Sequence, residues 1–584
     1  MVKRASGAMH VARVRKTIKG KTYESVLLRQ SYRQGQQVKH RTLASLTALP
    51  SHVVDAIEGM LKGESWVPTG DARIIQRSWP HGHVAAILGT AQRLGLESLL
   101  DSKPSHQRDL VLAMIVARVL HPASKLATTR LWGSTSLAGT LGVEEATEDD
   151  LYGALDWLLE RQEGIEERLA RRHLEPGGLV LYDLTSTYME GTHCPLARRG
   201  YSRDGRRGTL QVEFGLITNA QGQPVAIDVF PGNTADATTV PQQVEKVRER
   251  FGVEQVVWVG DRGMITQTQI DKLRELAGVS WITALRASSI RQLVEAGSIQ
   301  LSLFDTQNLV EVTDPRYPGE RLVVCYNPMM AQQRAGKREE LLAATERELE
   351  QVARRVKVGA AGGRGGLAGE ARIGERVGRG VNKYKMAKHF TWTISDHAFS
   401  YARNQASITQ EAALDGLYVL RTNLAQEQMD APRVVLAYKS LSQVEQAFRH
   451  LKLGDLKVRP IYHHLERRVK AHLFLCMLAY YVQRAMEQAL VPLLFADESP
   501  PQRPDPVAPA PRSDGAKRKE GTKKTTDGLP VHSFRTLLAH LGTMVKNRLI
   551  LKGTPEAPGF DQVTLPTQLQ ARAFELLQLP INPL

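Results

Sequence analysis

Asp183 breaks an apolar run in the stretch LVLYDLTSTYMEG at 179–191, with Val180, Leu181 and Tyr182 before it and Leu184 after. Apolar residues on both sides of the period, followed by Thr-Ser-Thr, are the pattern of a strand covered on both faces. An ionised carboxylate in such a strand loses its hydration and needs a cation, a metal or several donors to offset the loss. Alone, Asp183 reads most simply as an Asp bonded to a neighbouring loop or Arg, so chemistry requires further carboxylates. Asp261 is one, directly after the apolar strand QVVWVG at 255–260. Glu445 is another, in YKSLSQVEQAFRHLK at 438–452.

On a single helix over 438–452, Leu441, Val444, Phe448 and Leu451 form an apolar stripe. Tyr438, Glu445 and Lys452 are seven residues apart and drift only about 20° per step along its edge, with Arg449 in the same row. The pattern also suits an ordinary amphipathic helix with an i,i+4 Glu–Arg pair on its flank. Two Asp and one Glu held rigidly suit phosphodiester chemistry with two divalent ions about 3.5–4 Å apart, which activate water or a 3′-OH and stabilise the leaving oxygen. Mg²⁺ or Mn²⁺ takes hard oxygen ligands, so neither His nor Cys is required. Tyr438, Arg449 and Lys452 would then hold the DNA backbone.

The elements that must position these residues follow from the change of period along the chain. Residues 11–46 alternate polar and apolar side chains around Gly20 and Gly35, predicting hairpins. Residues 50–64 and 83–172 carry three- and four-residue apolar spacing, predicting helices. Strands are predicted at 179–187, 209–218 and 224–230, followed by a helix at 239–251, the strand before Asp261, a helix and the strand SWITALR. PGNTADATT at 231–239 reads as a turn and a capped helix start, its Thr and Asp oxygens taking free backbone N–H groups. Three strands, then helix, strand, helix and strand, suit an α/β ribonuclease-H-like core.

The domain plan is a small basic β-rich module at 1–65 and a helical module at 66–175 able to read DNA ends. The core takes 176–286 and 431–495, with a β-rich insertion at 287–430. A Gly-rich run at 358–380 within the insertion reads as a loop or nucleic-acid-touching linker, because it offers no core. The Pro-, Ala- and Lys-rich residues 496–530 form a flexible linker, and 531–584 a helical tail.

Composition points to the partner. The 584 residues include 77 Lys+Arg against 61 Asp+Glu, a formal charge of +16, which favours a polyanion such as DNA. Eleven basic residues and one acid, Glu24, lie in the first 50. Cys194, Cys325 and Cys476 form no CxxC pair and imply neither disulfides nor a zinc site. The strongest apolar run, HLFLCMLAYYV at 472–482, is too short for a bilayer and reads as a buried helix, and no signal peptide is expected.

DLTSTYMEG, GYSRDGRRGTLQVEFGL at 200–216, PGNTADATT, WVGDRGM at 258–264, and Tyr438-x6-Glu445-x6-Lys452 followed by RPIYHHLERRVKAHLFLCMLAYYV together resemble the DDE transposases of bacterial insertion sequences. The group in question has a Tyr-Arg-Glu-Lys signature and a β-rich insertion. The resemblance spans about residues 10–490 and implies Asp183, Asp261 and Glu445 as metal-binding catalytic residues, with Tyr438 and Lys452 on phosphates near the transposon end. The signature Arg falls on Leu441 here, leaving Arg449 as its candidate substitute. Also implied are terminal inverted repeats as substrate, cleavage and strand transfer, a homodimer on DNA, no cofactor beyond Mg²⁺ or Mn²⁺, and a cytoplasmic, nucleoid-associated site of action. A nuclease that only hydrolyses and an inactive DNA-binding remnant stand as the rivals.

Overall fold

The computed structural model describes residues 7–64, 73–206, 208–304, 307–452, 454–503, 505–551 and 559–581. Contacts divide the chain into two compact units, residues 1–78 with 546–564, and residues 79–545 with 565–584.

In the first unit, β1 (Met9–Ile18), β2 (Lys21–Gln34) and β3 (Gln37–Ser45) form an antiparallel meander. Its turns use positive φ at Lys19, Gly20 and Gly35, which glycine adopts without strain. The helix Ser51–Leu61 packs on β1. A second sheet holds β4 (Arg73–Pro80) with β15 (Val545–Leu551) and β16 (Phe560–Val563). The tail expected to be helical therefore carries two strands between its helices Phe534–Leu541 and Gln568–Leu576. Strand character there depends on β4, a partner almost 500 residues away in sequence, which local pattern does not reveal. The module boundary expected at 65/66 lies outside the described residues.

The second unit is a mixed α/β body built on an eight-stranded sheet. Its strands are β5 (Leu179–Tyr188), β6 (Gln211–Asn219), β7 (Pro224–Pro231), β8 (Val256–Val259), β9 (Val279–Ala284), β10 (Leu309–Val312), β11 (Arg321–Tyr326) and β14 (Leu417–Thr422). Their order is β10-β11-β14-β9-β8-β5-β6-β7. β5 is central, antiparallel to β6 and parallel to β8; β6–β7 is antiparallel and β8–β9 parallel. β6 is buried along its whole length, its Gln211, Glu213, Thr218 and Asn219 included. Tight packing shows at Gly215 of β6, where a Cβ would fall 2.3 Å from the Tyr182 hydroxyl, itself donating to Thr239 Oγ1 at 2.9 Å.

The helices between 82 and 173 are not a separate module. The helix Glu466–Ala489 is apolar nearly all round, and such a helix must be enclosed. His106–Leu120, Glu148–Glu160 and Gly82–Arg93 enclose it, together with β7.

The insertion contains more helix than expected. β10, β11 and β14 continue the central sheet, while the 33-residue helix Pro328–Ala360, the helix Glu370–Lys383 and the hairpin of β12 (Phe390–Ser395) and β13 (Ala398–Arg403) make a core of their own. More than half of the Gly-rich run is thus helix. Ile373, Val377 and Val381 are spaced by four and buried against Leu349 and Val352, and Gly380 lets the two helices approach, its absent Cβ being 3.4 Å from Glu348 Cβ. Glycine content concealed that stripe.

The described residues of 496–530 also have defined contacts. Ser513 caps a helix, Asp514–Thr522, and Val507 and Lys519 are buried. Lys519 Nζ donates to the carbonyls of Val491 and Pro492 and to Glu498. A segment poor in apolar residues is fixed here by lysine–carbonyl bonds, its own Lys519 reaching back to residues 491 and 492 and Lys439 reaching in to Val507 and Ala508, a signal absent from hydropathy. No single helix among the described residues is long and apolar enough to cross a membrane.

Candidate active site

β5 and β8 run parallel, pairing Leu181 with Val259. Two residues beyond that pair lie Asp183, still on β5, and Asp261, just past the end of β8. Asp183 is half-buried and accepts from the Leu184 amide at 2.8 Å. Burial, and then the charges of Asp261 and Asp236, push its carboxyl up to about 7. Asp261 stands just past β8, its Oδ1 accepting from the Gly263 and Met264 amides, both at 2.8 Å. Those bonds fix its rotamer at the carboxyl end of the strand.

The helix Leu441–Lys452 lies over β5 and β6, with Val444, Ala447, Phe448 and Leu451 buried and Phe448 edge-on to Phe214 at 5.5 Å between ring centroids. Glu445 projects from its exposed side. One cavity of about 480 Å³ has Asp261, Arg262, Tyr438 and Glu445 in its wall. The Tyr438 phenol is pushed up to about 12 by burial and then by the charge of Asp261, with Glu445 and Asp183 adding to the effect. The structure thus sets Asp183 beside Asp261, and Asp261 with Glu445 and Tyr438 around one cavity.

The expected single helix over 438–452 is two. Ala431–Lys439 ends at Ser440, whose hydroxyl donates to the Leu436 carbonyl at 3.0 Å, and Leu441–Lys452 begins anew. Tyr438 and Glu445 still share the cavity, but Lys452 does not line it. Its Nζ donates to Thr185 Oγ1 at 2.9 Å and the Ser186 carbonyl at 2.8 Å, and pairs with Asp204 at 2.7 Å. Asp204, with a side chain only 4% exposed, also binds Arg459. Arg449 is exposed and outside the cavity wall. Leu441 is half-buried rather than part of the buried stripe.

Sequence reasoning missed several charged neighbours. Asp236 opens the helix Asp236–Glu245, whose N-cap is Ala235 without a side-chain bond; its carboxylate is bound by Arg203 instead of capping. A Cβ on Gly263 would lie 3.3 Å from Asp261 Oδ1 and 3.8 Å from Asp236 Oδ2, so these carboxylates flank the same point. Arg203 also donates to the Leu184 carbonyl, and its amide to Ser186 Oγ at 3.0 Å. The signal was present in GYSRDGRRG, a charged loop between strands, but nothing local tells which charges turn inward.

Glu213, the one acid inside β6, is 4% exposed, and burial pushes its carboxyl up to about 7 from an ordinary 4.5. Between about pH 4.5 and 7 the folded chain keeps this proton while the unfolded chain has released it, so stability falls as pH rises through that window. Glu213→Gln is expected to flatten this slope, read as Tm against pH in a chelating buffer. An unchanged slope would mean that the carboxyl is ionised in the fold.

Asp183, Asp261 and Glu445 offer carboxylate oxygens, and the Asp183 carboxyl is raised first by its burial and then by the charges of Asp261 and Asp236. That set fits hard divalent ions. A tighter group exists elsewhere: among the described residues, His450, Asp455 and Glu487 are the three metal-capable side chains whose ligand atoms all lie within 4.8 Å of one another. His450 is about 140° around the helix from Glu445. Gln483 Nε2 fills the middle of that group, donating its two hydrogens to Glu487 at 2.8 Å and Asp455 at 3.0 Å and lying 3.2 Å from His450 Nδ1.

A family profile described as the transposase DDE domain matches residues 176–482, and the chain belongs to that family, whose members cut and join DNA strands with divalent metal ions. Residues 11–66 match the N-terminal domain of IS1634 family transposases, so this is an insertion-sequence transposase. Among solved structures, a piggyBac transposase synaptic complex with hairpin DNA aligns over 69% of this chain and 79% of that one, at 9% identity and a TM-score of 0.25. A Mos1 transposase paired-end complex with left transposon end aligns over 33% and 62%, at 14% identity and a TM-score of 0.13. No curated protein matches the chain.

Proposed function

We propose that Asp183, Asp261 and Glu445 are the catalytic carboxylates of this transposase, and that it cuts at terminal inverted repeats and joins the freed 3′-OH to target DNA. The observation that carries the reading is the parallel register of β5 and β8, which supports two carboxylates side by side at the centre of the sheet. The order β7-β6-β5-β8-β9, with β6 antiparallel and β7, β8 and β9 parallel to the central β5, supports a ribonuclease-H-like core. Asp183 and Asp261 ride on a rigid sheet, and Glu445 comes on a helix anchored by Phe448, so the acids need little reorganisation.

Mg²⁺ or Mn²⁺ held by these carboxylates supplies, when bound, activation of the attacking hydroxyl and neutralisation of the leaving oxygen. Tyr438 faces the cavity and offers its hydroxyl to a phosphate oxygen, and the cavity's Arg262 adds positive charge. Arg449, exposed one turn beyond Glu445, takes the outer phosphate contact. Lys452 acts through its charge and by bracing the Glu445 helix to β5. Both ends of an element must meet before joining, which calls for a homodimer on DNA.

The test supplies labelled, pre-cut ends with a plasmid target and Mg²⁺. Joined product is expected; cleavage without joining would favour a hydrolytic nuclease, and no metal-dependent product at all would support the inactive remnant.

A further inference from the structure

Residues 457–465 and the start of the Glu466–Ala489 helix face the short helix Lys125–Arg130 across a cavity of about 540 Å³. Its wall carries Arg118, Lys125, Lys457, Arg459 and Arg468, with three histidines and no Asp or Glu. Two of these cations have acidic partners, Arg459 in Asp204 and Arg468 in Asp156 at 3.9 Å. Arg118 donates to the Ala123 carbonyl at 3.1 Å. Lys125 is different. Its side chain lines the cavity at 4% exposure, and among the described residues no hydrogen bond or ion pair engages it.

An ammonium taken out of water beside a guanidinium, with no anion to face it, is strongly unfavourable and persists where a ligand supplies the charge. The surroundings agree. Burial and the Arg118 charge push the Lys125 amine down to about 7, and burial with the Lys125 and Arg118 charges pushes His463 down to about 3. The local field is positive throughout.

We infer that this cavity binds a phosphate group of a nucleic-acid strand, with Lys125 and Arg118 as its direct ligands. A guanidinium fork beside a point-charge ammonium matches a phosphate oxyanion. A DNA strand as the source rests on the transposase reading and on connectivity to the catalytic sheet. Arg459 joins the cavity wall to Asp204, and Asp204 to Lys452, which grips β5 at Thr185 and Ser186. Just past β5, Glu190 donates its amide to the Ile461 carbonyl in the cavity loop at 3.0 Å. From Asp183 to Met189 is six residues, about 20 Å along a strand, or about six steps of B-form DNA. A strand seated at the carboxylates can therefore reach the cavity with a later phosphate.

The test uses the full chain with chelator present and catalysis silenced by Asp261→Asn, so that neither metal nor strand transfer enters the readout. Inorganic phosphate at millimolar concentration is expected to raise Tm by several degrees with Lys125 intact and not with Lys125→Met. In phosphate-free buffer Lys125→Met is expected to be the more stable of the two, because it removes an unpaired buried charge. Lys125→Met should also lower the salt slope of DNA binding by about one. Equal protection of both variants by phosphate, with an unchanged salt slope, would overturn the site. Protection lost in Lys125→Met with an unchanged slope would keep the phosphate site and overturn DNA as its source. Loss of strand transfer in other variants bears on the transposase reading alone.

Discussion

Asp261→Asn is expected to lower metal-dependent strand cleavage by about 10³-fold, the worth of about 4 kcal/mol of transition-state stabilisation. The substitution keeps the shape and the acceptor oxygen that takes the Gly263 and Met264 amides, so fold and DNA affinity should change little. Measured as single-turnover cleavage of a labelled transposon end in saturating Mg²⁺, the loss should appear in the chemical step. Retention of more than a tenth of the wild-type rate would remove Asp261 from the chemistry. Asp183→Asn should behave alike, and the two losses should not add, because residues acting as one unit are non-additive.

The second large effect is structural. Asp204→Ala leaves Lys452 and Arg459 facing each other in a poorly hydrated place without their shared counter-charge. Breaking a buried pair by removing one partner costs about 3–5 kcal/mol, and here one carboxylate serves two cations. Denaturant unfolding should show a loss of that order, and strand transfer should weaken because the Glu445 helix loses part of its anchor on β5. A stability change below about 1 kcal/mol would show that water already satisfies both cations. Lys452→Met in the same background should recover part of the loss, since it removes one stranded charge.

Much of the core was legible because it obeys simple periods. β5, β6, β7 and β8 are apolar runs bounded by turn residues, and the acids that interrupt or end them stand out against that background. Register did the rest, since two parallel strands starting together carry Asp183 and Asp261 to the same level. What stayed hidden depends on partners distant in sequence. The break at Ser440 interrupts a pattern that is continuous on paper, because Tyr438 before it and Glu445 after it keep a helical seven-residue spacing across it. Lys452 was placed with Tyr438 on a single row, yet a buried carboxylate in a loop more than 200 residues earlier claims its ammonium. Asp236 looked like a cap and proved to be an ion-pair partner of Arg203. The Gly-rich helix and the Pro-rich segment were misread by composition. In one a sparse stripe of Ile373, Val377 and Val381 suffices for burial; in the other Lys439 binds the Val507 and Ala508 carbonyls at 2.9 and 3.2 Å.

The central claim is that residues 183, 261 and 445 hold the working metal ions, and iron-directed cleavage of the polypeptide tests it most directly. Fe²⁺ replacing Mg²⁺ in the presence of ascorbate and peroxide cuts the backbone beside its ligands, and the fragments report where it sat. Cuts near 183, 261 and 445, competed away by Mg²⁺ and weakened together by Asp261→Asn, are the expected result. Cuts confined to the neighbourhood of 450, 455 and 487, indifferent to Asp261→Asn, would contradict the account and move the metal to the other side of the Glu445 helix.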